Sequence, residues 1–590
     1  MARLGIAFLL LAVIGVGVGF AVWWLYDPQI VLDYEKQVLI WDAESATFQI
    51  ETRFGKRRFV KALRDNNRDL LASCFRDEFA AKLVNEEAPL VRTVSTVSET
   101  RYDRGKASQR ETDANGLIDW LFAQLEPFAE VQSASQRVLE IHPIEQISED
   151  TGRWSIRFLH MFYGTTAEGG RIAHESEHDV VLEYTARDQL ETDPVVISWD
   201  TIYFKNSTAT HPLMEEVTEQ YGLKLDSRLL EDNWEIPVEN NLQQKICAAV
   251  EDFDRDGYLD IAVASMVSSR EKGVPVLLRN VGGERFENVT QQMGIREWDA
   301  TIDNVQFSAA WIDYNNDGYP DLIFGESLYR NEQGERFTDV TAESGLKVQR
   351  EPMGITVADY NLDGFPDLYI LYQSPPTNLE MRELANVPMP WIGDNKFGAE
   401  NHLWLNDGNG HFKLIDNANA GGGKGSSFAA SWFHLDDDLD PDLYIVNDFG
   451  NNVLLRNKGD GTFEDITEET QTGGFATSMG VASGDINNDG TVELYVGDMY
   501  SKMGRRIIAH VSPEDYPEGV YRQLEGACAG NQFFIRKPGE TKFSEQSVEM
   551  GINAVGWGFA TNFTDFDGDG LLDIYANAGF VSFTRARPDG

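Results

Sequence analysis

The stretch DFDGDGLLD, residues 565–573, places carboxylates at its first, third, fifth and ninth positions and a glycine at its sixth. Like charges this close repel, by about 1 kcal/mol per pair at ~4 Å in water and by about 4 kcal/mol at an effective dielectric of ~20. A bound cation would offset that repulsion. Side-chain oxygens at alternate positions, a carbonyl from the seventh and a glycine that allows a sharp turn suit Ca²⁺. That ion takes roughly 6–8 oxygen ligands, whereas Mg²⁺ holds on to its waters. Zinc would want histidine or cysteine. A single copy reads equally well as a solvated Asx turn.

The stretch recurs. DFDRDGYLD at 252–260 offers Asp252, Asp254, Asp256 and Asp260, and DYNNDGYPD at 313–321 offers Asp313, Asn315, Asp317 and Asp321. DYNLDGFPD at 359–367 offers Asp359, Asn361, Asp363 and Asp367, and DINNDGTVE at 485–493 offers Asp485, Asn487, Asp489 and Glu493. The opening copy offers Asp565, Asp567, Asp569 and Asp573. A sixth copy, HLDDDLDPD at 434–442, keeps Asp436, Asp438 and Asp442 but has His434 for the first acid and Leu439 for the glycine. It is expected to bind weakly or stay empty. Five intact copies favour Ca²⁺ over a solvated turn, and Asn315, Asn361 and Asn487 should spread the affinities by lowering loop charge.

The loops need strands to hold them. Each follows an apolar, small-residue run such as FSAAWI and precedes an alternating run such as PDLYIVND. Between loops stand elements such as LYRNEQGERFTDVTAESGL (328–346) and LLRNKGDGTFEDITEE (454–469), whose Asn/Gly/Asp punctuation before a Phe signals a hairpin. The repeat unit is expected to be a four-stranded antiparallel sheet with the acidic loop in its first hairpin, the pattern of a β-propeller blade. Six blades are expected, and uneven loop spacing leaves room for a seventh. HPLMEEVTEQYGLKL (211–225) matches the tail of the inter-loop element, so a segment near 200–225 is expected to complete the blade carrying Asp565.

These loops and hairpins, over about 240–590, resemble FG-GAP/VCBS repeats, the integrin-α-type propeller module. DMYSKMGRRI (498–507) is similar to a stretch of the ASPIC/UnbV and cartilage-acidic-protein branch of that family. The resemblance implies calcium in the loops and adhesion or ligand binding on the propeller faces. It does not imply catalysis.

The chain has 590 residues and a formal net charge of −46, which argues against nucleic acid, whose phosphates need a basic footprint. Cys74, Cys247 and Cys528 show no C-x-x-C spacing, and Cys74 reads as a small core residue. Leu4–Tyr26 carries no charge and is long enough for a membrane span, closed by Trp23, Trp24 and Tyr26. With Arg3 before it and acids after it, the expectation is a single-pass anchor with a cytoplasmic tail and a periplasmic or extracellular bulk; the rival is a cleaved signal peptide.

The expected division is therefore a cytoplasmic tail (1–3), a transmembrane helix (4–26), a linker (27–45), a smaller α+β domain (46–205) and the propeller (206–590). Within the α+β domain, 46–85 and 113–130 read as helical. RVLEIHPIEQI, RWSIRFLHMFYG, RIAHESEHDVVLEYTARD and PVVISWDTIYF then read as strands. That order resembles the SnoaL-like, nuclear-transport-factor-like cone. His174-Glu175-Ser176-Glu177-His178 satisfies the zincin pattern H-E-x-x-H, but that chemistry needs a helix and the surrounding alternation reads as strand. A pocket lined by Trp154, His160, His174 and His178 is the alternative to plain strand residues.

The expected function is a membrane-anchored, calcium-binding propeller acting as a binding, adhesion or assembly module for a protein or glycan, and not an enzyme. The alternatives are a subunit capping a larger membrane complex and a polysaccharide-active propeller enzyme. Contact surfaces are expected in the insertions at about 376–400, with Met389 and Trp391, and 499–530, with Lys502, Arg505 and Arg506.

Overall fold

The computed structural model describes residues 34–94, 96–148, 151–211, 214–223, 247–268, 272–296, 298–299, 308–348, 352–373, 398–416, 420 and 425–578. The fold is mainly β, 44% strand and 17% helix, in several small sheets of which none closes on itself among the described residues. The expected anchor Leu4–Tyr26 lies outside the described residues, as do Met389 and Trp391. Among the described residues no helix is long and apolar enough to cross a membrane. The single-pass membrane placement is corrected on that finding.

The chain divides into two compact units. One comprises Val31–Glu216 and Lys502–Asp515. It is helical from Tyr34 to Arg64, with the wider i→i+5 winding over Ile50–Phe59. Ile40, Ala43, Ala46 and Ile50 lie three or four apart and are all buried, so residues 34–45, expected as linker, are a core-facing helix. The helical reading of 46–85 fails after Ala72, because Phe75–Val84 is a strand. FRDEFAAKLV carries both periods, and the fold selects the one that buries Phe75, Phe79, Ala81 and Leu83 at even spacing. Asp113 caps the expected helix, Ala114–Leu125, by accepting the Gly116 N–H at 2.9 Å.

The expected long strands, Glu130–Ser148, Thr151–Thr165, Arg171–Tyr184 and Val196–Ala209, pair antiparallel in chain order. Their inward residues, among them Trp154, Phe158, Trp199 and Phe204, pack on Phe54 and Phe59. Residues 200–209 were expected to help complete a propeller blade; they belong instead to this sheet, because Phe204 is committed to its core. The basic run 502–507 is also partly internal to this unit. Arg506 is 8% exposed, pairs with both oxygens of Glu44 at 2.8 and 2.7 Å and donates to Val138 O at 2.9 Å. It is therefore an intramolecular anchor and not the open contact surface expected.

The other unit comprises Val217–Ser501 and Tyr516–Gly590. Among the described residues it is a series of six sheets, each opening with two strands that bracket an acidic loop. The first sheet has Cys247–Glu251, Asp260–Ser268, Lys272–Val281 and Arg285–Asn288; the second has Ala309–Ile312, Asp321–Phe324, Ser327–Asn331 and Phe337–Asp339. The third has Gly354–Ala358, Asp367–Leu371, His402–Asn406 and Phe412–Leu414; the fourth has Ser427–Phe433, Asp442–Asn451, Val453–Asn457 and Phe463–Asp465. The fifth has Gly480–Gly484, Glu493–Gly497, Gln532–Ile535 and Ser544–Glu545, and the sixth has Gly558–Thr564 and Asp573–Ala578. Apolar cores form between neighbours. Leu277 and Phe253 of the first sheet pack with Leu322 and Phe337 of the second, and Ile323 and Leu328 of the second with Leu368 and Trp404 of the third.

Candidate metal centre

The five intact loops share one backbone path. The glycine at the sixth position has φ of 91° at Gly257, 87° at Gly318, 91° at Gly364, 85° at Gly490 and 88° at Gly570, a region that admits glycine without strain. The fourth position is left-handed too, at Arg255, Asn316, Leu362, Asn488 and Gly568. These turns aim backbone donors at the first acid. Asp252 accepts N–H from Asp256 at 3.1 Å and Gly257 at 2.8 Å, and Asp313 accepts from Asp317 at 3.1 Å and Gly318 at 2.8 Å. Asp359 repeats this with Asp363 and Gly364, Asp485 with Asp489 and Gly490, and Asp565 with Asp569 and Gly570.

Two loops bring three acids together. Carboxylate oxygens of Asp252, Asp254 and Asp260 lie within 4.8 Å of one another, and so do those of Asp565, Asp567 and Asp573. Asp254 Oδ1 is buried without a hydrogen-bond partner, although Arg279 Nε stands 2.8 Å from Oδ2. The fifth-position acids stay outside both triplets; Asp256 and Asp569 accept N–H from the residue two further on, as do Asp317, Asp363 and Asp489 in their loops. Where asparagine holds the third position, its Oδ1 accepts the N–H of the fifth-position acid, in Asn315, Asn361 and Asn487 alike, and the amides of Asn315 and Asn361 also donate to Asp317 at 3.0 Å and Asp363 at 2.9 Å.

The ninth position is buried in every loop but the last, where Asp573 is half-buried. Asp260 and Asp321 are 0% exposed, yet each carries an ionisable carboxyl. Burial, added to by the other acids of the loop and opposed by two N–H donors, pushes Asp260 up to about 7 and Asp321 to about 8. Asp367 and Glu493 rise to about 7 and Asp442 to about 6 for the same leading reason. Converging hard oxygens, a buried carboxylate oxygen without a partner and acids held above their ordinary range all fit a hard divalent cation.

The same acid is also a staple, a role absent from the sequence reading. Asp321 accepts N–H from Tyr314 at 3.2 Å and from Asn331 at 2.7 Å, tying its loop to the third strand. Asp260, Asp367 and Asp442 make the matching bonds to Asn280, Asn406 and Asn457. Three of these asparagines then reach the sheet before. Asn331 donates to Phe253 O at 2.8 Å, Asn406 to Tyr314 O at 2.8 Å and Asn457 to Tyr360 O at 2.7 Å. The signal was present in the recurring RN and LN that precede the hairpin glycines.

The histidine cluster of the other unit is a different kind of place. His174 and His178 lie on the strand Arg171–Tyr184, as the alternation predicts, and Ser176 Oγ bridges them, 3.1 Å from His174 Nε2 and 2.9 Å from His178 Nε2. His178 Nδ1 accepts from Trp199 Nε1 at 3.0 Å, and His160 Nε2 meets Gln136 Oε1 at 2.9 Å. The three rings are packed against Phe59, Trp120 and Phe162. Burial holds His160 down to about 3 and His174 to about 4, so all three are neutral at pH 7. Neutral, interlocked rings on a strand offer no zincin geometry.

Two stretches, residues 252–324 and 434–496, match the family model of the FG-GAP-like repeat, each beginning at an acidic loop and ending on the second strand of the next sheet. The chain carries FG-GAP-like repeats. Cartilage acidic protein 1 of Xenopus tropicalis is 28% identical over 171 residues, covering 23% of this chain and 26% of that protein. The chain thus spans about a quarter of the length of the curated relative it matches. The crystal structure of BBS1N in complex with ARL6DN, soaked with lead, aligns over 64% of this chain and 91% of that chain at 9% identity with a TM-score of 0.24, a likeness that carries no argument. The FG-GAP-like repeats lie in the unit that holds the acidic loops.

Proposed function

We propose that the FG-GAP-like unit is a calcium-stabilised β-propeller and that the protein is a non-catalytic binding module for a protein or glycan. One observation carries the calcium reading: five loops of different sequence adopt the same left-handed fourth and sixth positions, and two of them bring three carboxylates within 4.8 Å of one another. Asp252, Asp254 and Asp260 in one loop, and Asp565, Asp567 and Asp573 in another, would hold the ion. It would supply positive charge that lets buried acids ionise and fixes each turn. The binding role is supported by the FG-GAP-like repeats and by the relative in cartilage acidic protein 1.

Equilibrium dialysis against Ca²⁺ at about millimolar concentration, the range of extracellular modules, tests the site. Several equivalents per chain are expected, falling by one in Asp252→Asn/Asp254→Asn. A chain that binds none overturns the proposal. Capture of a partner in Ca²⁺ but not in chelator would extend it to the binding role.

A further inference from the structure

The ends of the sheets away from the acidic loops carry seams of their own. Asn401, just before the third strand of the third sheet, donates to Ser427 Oγ at 2.9 Å, and Ser427 donates to Asn447 Oδ1 at 2.8 Å. Asn452, just before the third strand of the fourth sheet, donates to Ser478 Oγ at 2.9 Å, and Ser478 donates to Asp498 Oδ1 at 2.6 Å. The backbone N–H of Asn447 meets Asn452 Oδ1 at 2.9 Å, and that of Asp498 meets Asn531 Oδ1 at 2.9 Å. A backbone N–H only donates, so Asn452 turns its oxygen to Asn447 N and its amide hydrogens to Ser478; the serine then has its own hydrogen left for Asp498. Asp498 thus holds in the fifth sheet the place that Asn447 holds in the fourth, each five residues beyond the ninth position of its loop.

The two side chains differ at one atom. Asn447 Nδ2 donates to Asn451 O at 2.6 Å, whereas Asp498 Oδ2 is buried without a hydrogen-bond partner. Asp498 is 0% exposed, and the charged groups that act on it most, Asp448 of the fourth sheet and Glu545 of the fifth, are both negative. The phenols of Tyr444 and Tyr495 and the amide of Gln532 also face it. Burial, added to by Asp448 and opposed by the Ser478 hydroxyl, pushes its carboxyl up to about 8. A carboxylate here would bury a charge among acids with one oxygen idle. A carboxylic acid has one accepting oxygen and one donating O–H, the polarity of the amide at Asn447. The amide oxygen of Gln532 is of the kind that accepts such a hydrogen.

We propose that Asp498 is carried as a neutral acid that does in the fifth sheet what the amide of Asn447 does in the fourth, which makes this seam a pH-sensitive lock at the root of residues 499–530. Those residues leave the fifth sheet after its second strand and return before its third. The root is pinned at Asp498 O by Gly558 N at 3.0 Å and at Met499 N by Thr477 Oγ1 at 3.1 Å. Residues 502–515 of the same excursion belong to the α+β unit and carry its anchor Arg506. Loss of the proton leaves a buried charge with the Ser478 hydroxyl for its partner, and the root loosens. An unfolded aspartate gives up its proton near pH ~3.9 and the folded one keeps it above that, so stability present in acid is lost as pH rises toward about 8. Asp498 belongs to no acidic loop, so this lock stands apart from the calcium reading.

The test is urea unfolding of the full chain in excess Ca²⁺, wild type against Asp498→Asn, from pH 5.5 to pH 7.5. The unfolding constant of the wild type is expected to rise about tenfold or more relative to that of the variant over this range, with the variant at least as stable as the wild type at pH 7.5. The infrared spectrum of the folded wild type at pH 5.5 is expected to hold a protonated-carboxyl band that the variant lacks. Limited proteolysis within 499–530 is expected to quicken with pH in the wild type more than in the variant. Parallel pH profiles, a variant less stable than the wild type at pH 7.5, or identical carboxyl bands would overturn the proposal. Cleavage within 499–530 that follows pH equally in both proteins would overturn the lock.

Discussion

At the scale of single residues, the three histidines of the first unit set its response to acid. His160 and His178 are 0% exposed and His174 is 2%, and each is neutral in the fold. Their neighbours are mostly neutral hydrogen-bonding groups, Gln136, Ser176, Thr201 and Asn206, with Glu175 the one charge that favours protonating His174. An unfolded histidine takes its proton near pH ~6.5. The folded values are depressed, so below about pH 6.5 the unfolded chain binds protons that the folded chain refuses, and stability falls as pH falls. Each histidine adds a slope of about 1.4 kcal/mol per pH unit in that window. Between pH 7 and pH 5 the wild type is expected to lose about 2 kcal/mol more than His160→Gln, read by urea unfolding. Equal losses would refute the assignment. The same burial argument explains Cys74, whose thiol is pushed up to about 12 and which is inert core, as its apolar neighbours suggest.

At the scale of elements, the seam asparagines decide how sheet follows sheet. Asn331 is 1% exposed and donates to two carbonyls, Phe253 O at 2.8 Å and Pro320 O at 2.9 Å, while accepting from Gly334 N at 2.8 Å. Asn331→Ala strands those buried groups and is expected to cost about 2–4 kcal/mol in urea unfolding, against well under 1 for an exposed loop asparagine. A cost below about 1 kcal/mol would mean the seams are held by apolar packing alone. The acidic loops are legible in the sequence because the bonds that set their turn, from the fifth and sixth N–H groups to the first acid, lie within five positions of chain. The partner of Asn331 at Phe253 is 78 residues away, and no local pattern discloses it. Phe75–Val84 reads as helix for a related reason: its apolar residues satisfy both periods, and only pairing with the distant Gln109–Thr112 and Val196–Ala209 chooses between them. Tyr34–Gln49 escapes the sequence pattern because its buried face is made of small residues, Ala43 and Ala46, that raise little apolar contrast.

At the scale of the whole FG-GAP-like unit, the proposed propeller requires the first and sixth sheets to meet. Within the series, the tail that follows one sheet hands a carbonyl to the phenylalanine of the next: Met293 O to Phe337 N at 2.7 Å, and Thr470 O to Phe543 N at 2.8 Å. Tyr221 O accepts from Phe286 N at 2.7 Å in the same way, so residues 217–223 already serve the first sheet as the tail of a sheet before it. Among the described residues the sixth sheet has two strands and exposes Phe566 and Tyr575, at 49% and 47%, as a sheet does when a neighbour is due. Asn280 of the first sheet donates to Leu259 O at 3.2 Å within its own sheet, where its counterparts also cross a seam. A propeller would bring the loop 565–573 to Asn280 and complete that bond on Phe566 O. Asn280→Ala is then expected to cost as much as Asn331→Ala in the same unfolding assay. If the series is open, Asn280→Ala frees only the exposed Leu259 O and Gly283 N–H, and the substitution costs about half as much or less. Fluorescence quenching sharpens the comparison, since closure buries Tyr575 and an open edge leaves it accessible. A low cost at Asn280 together with an accessible Tyr575 would rule the ring out, while leaving the calcium loops untouched.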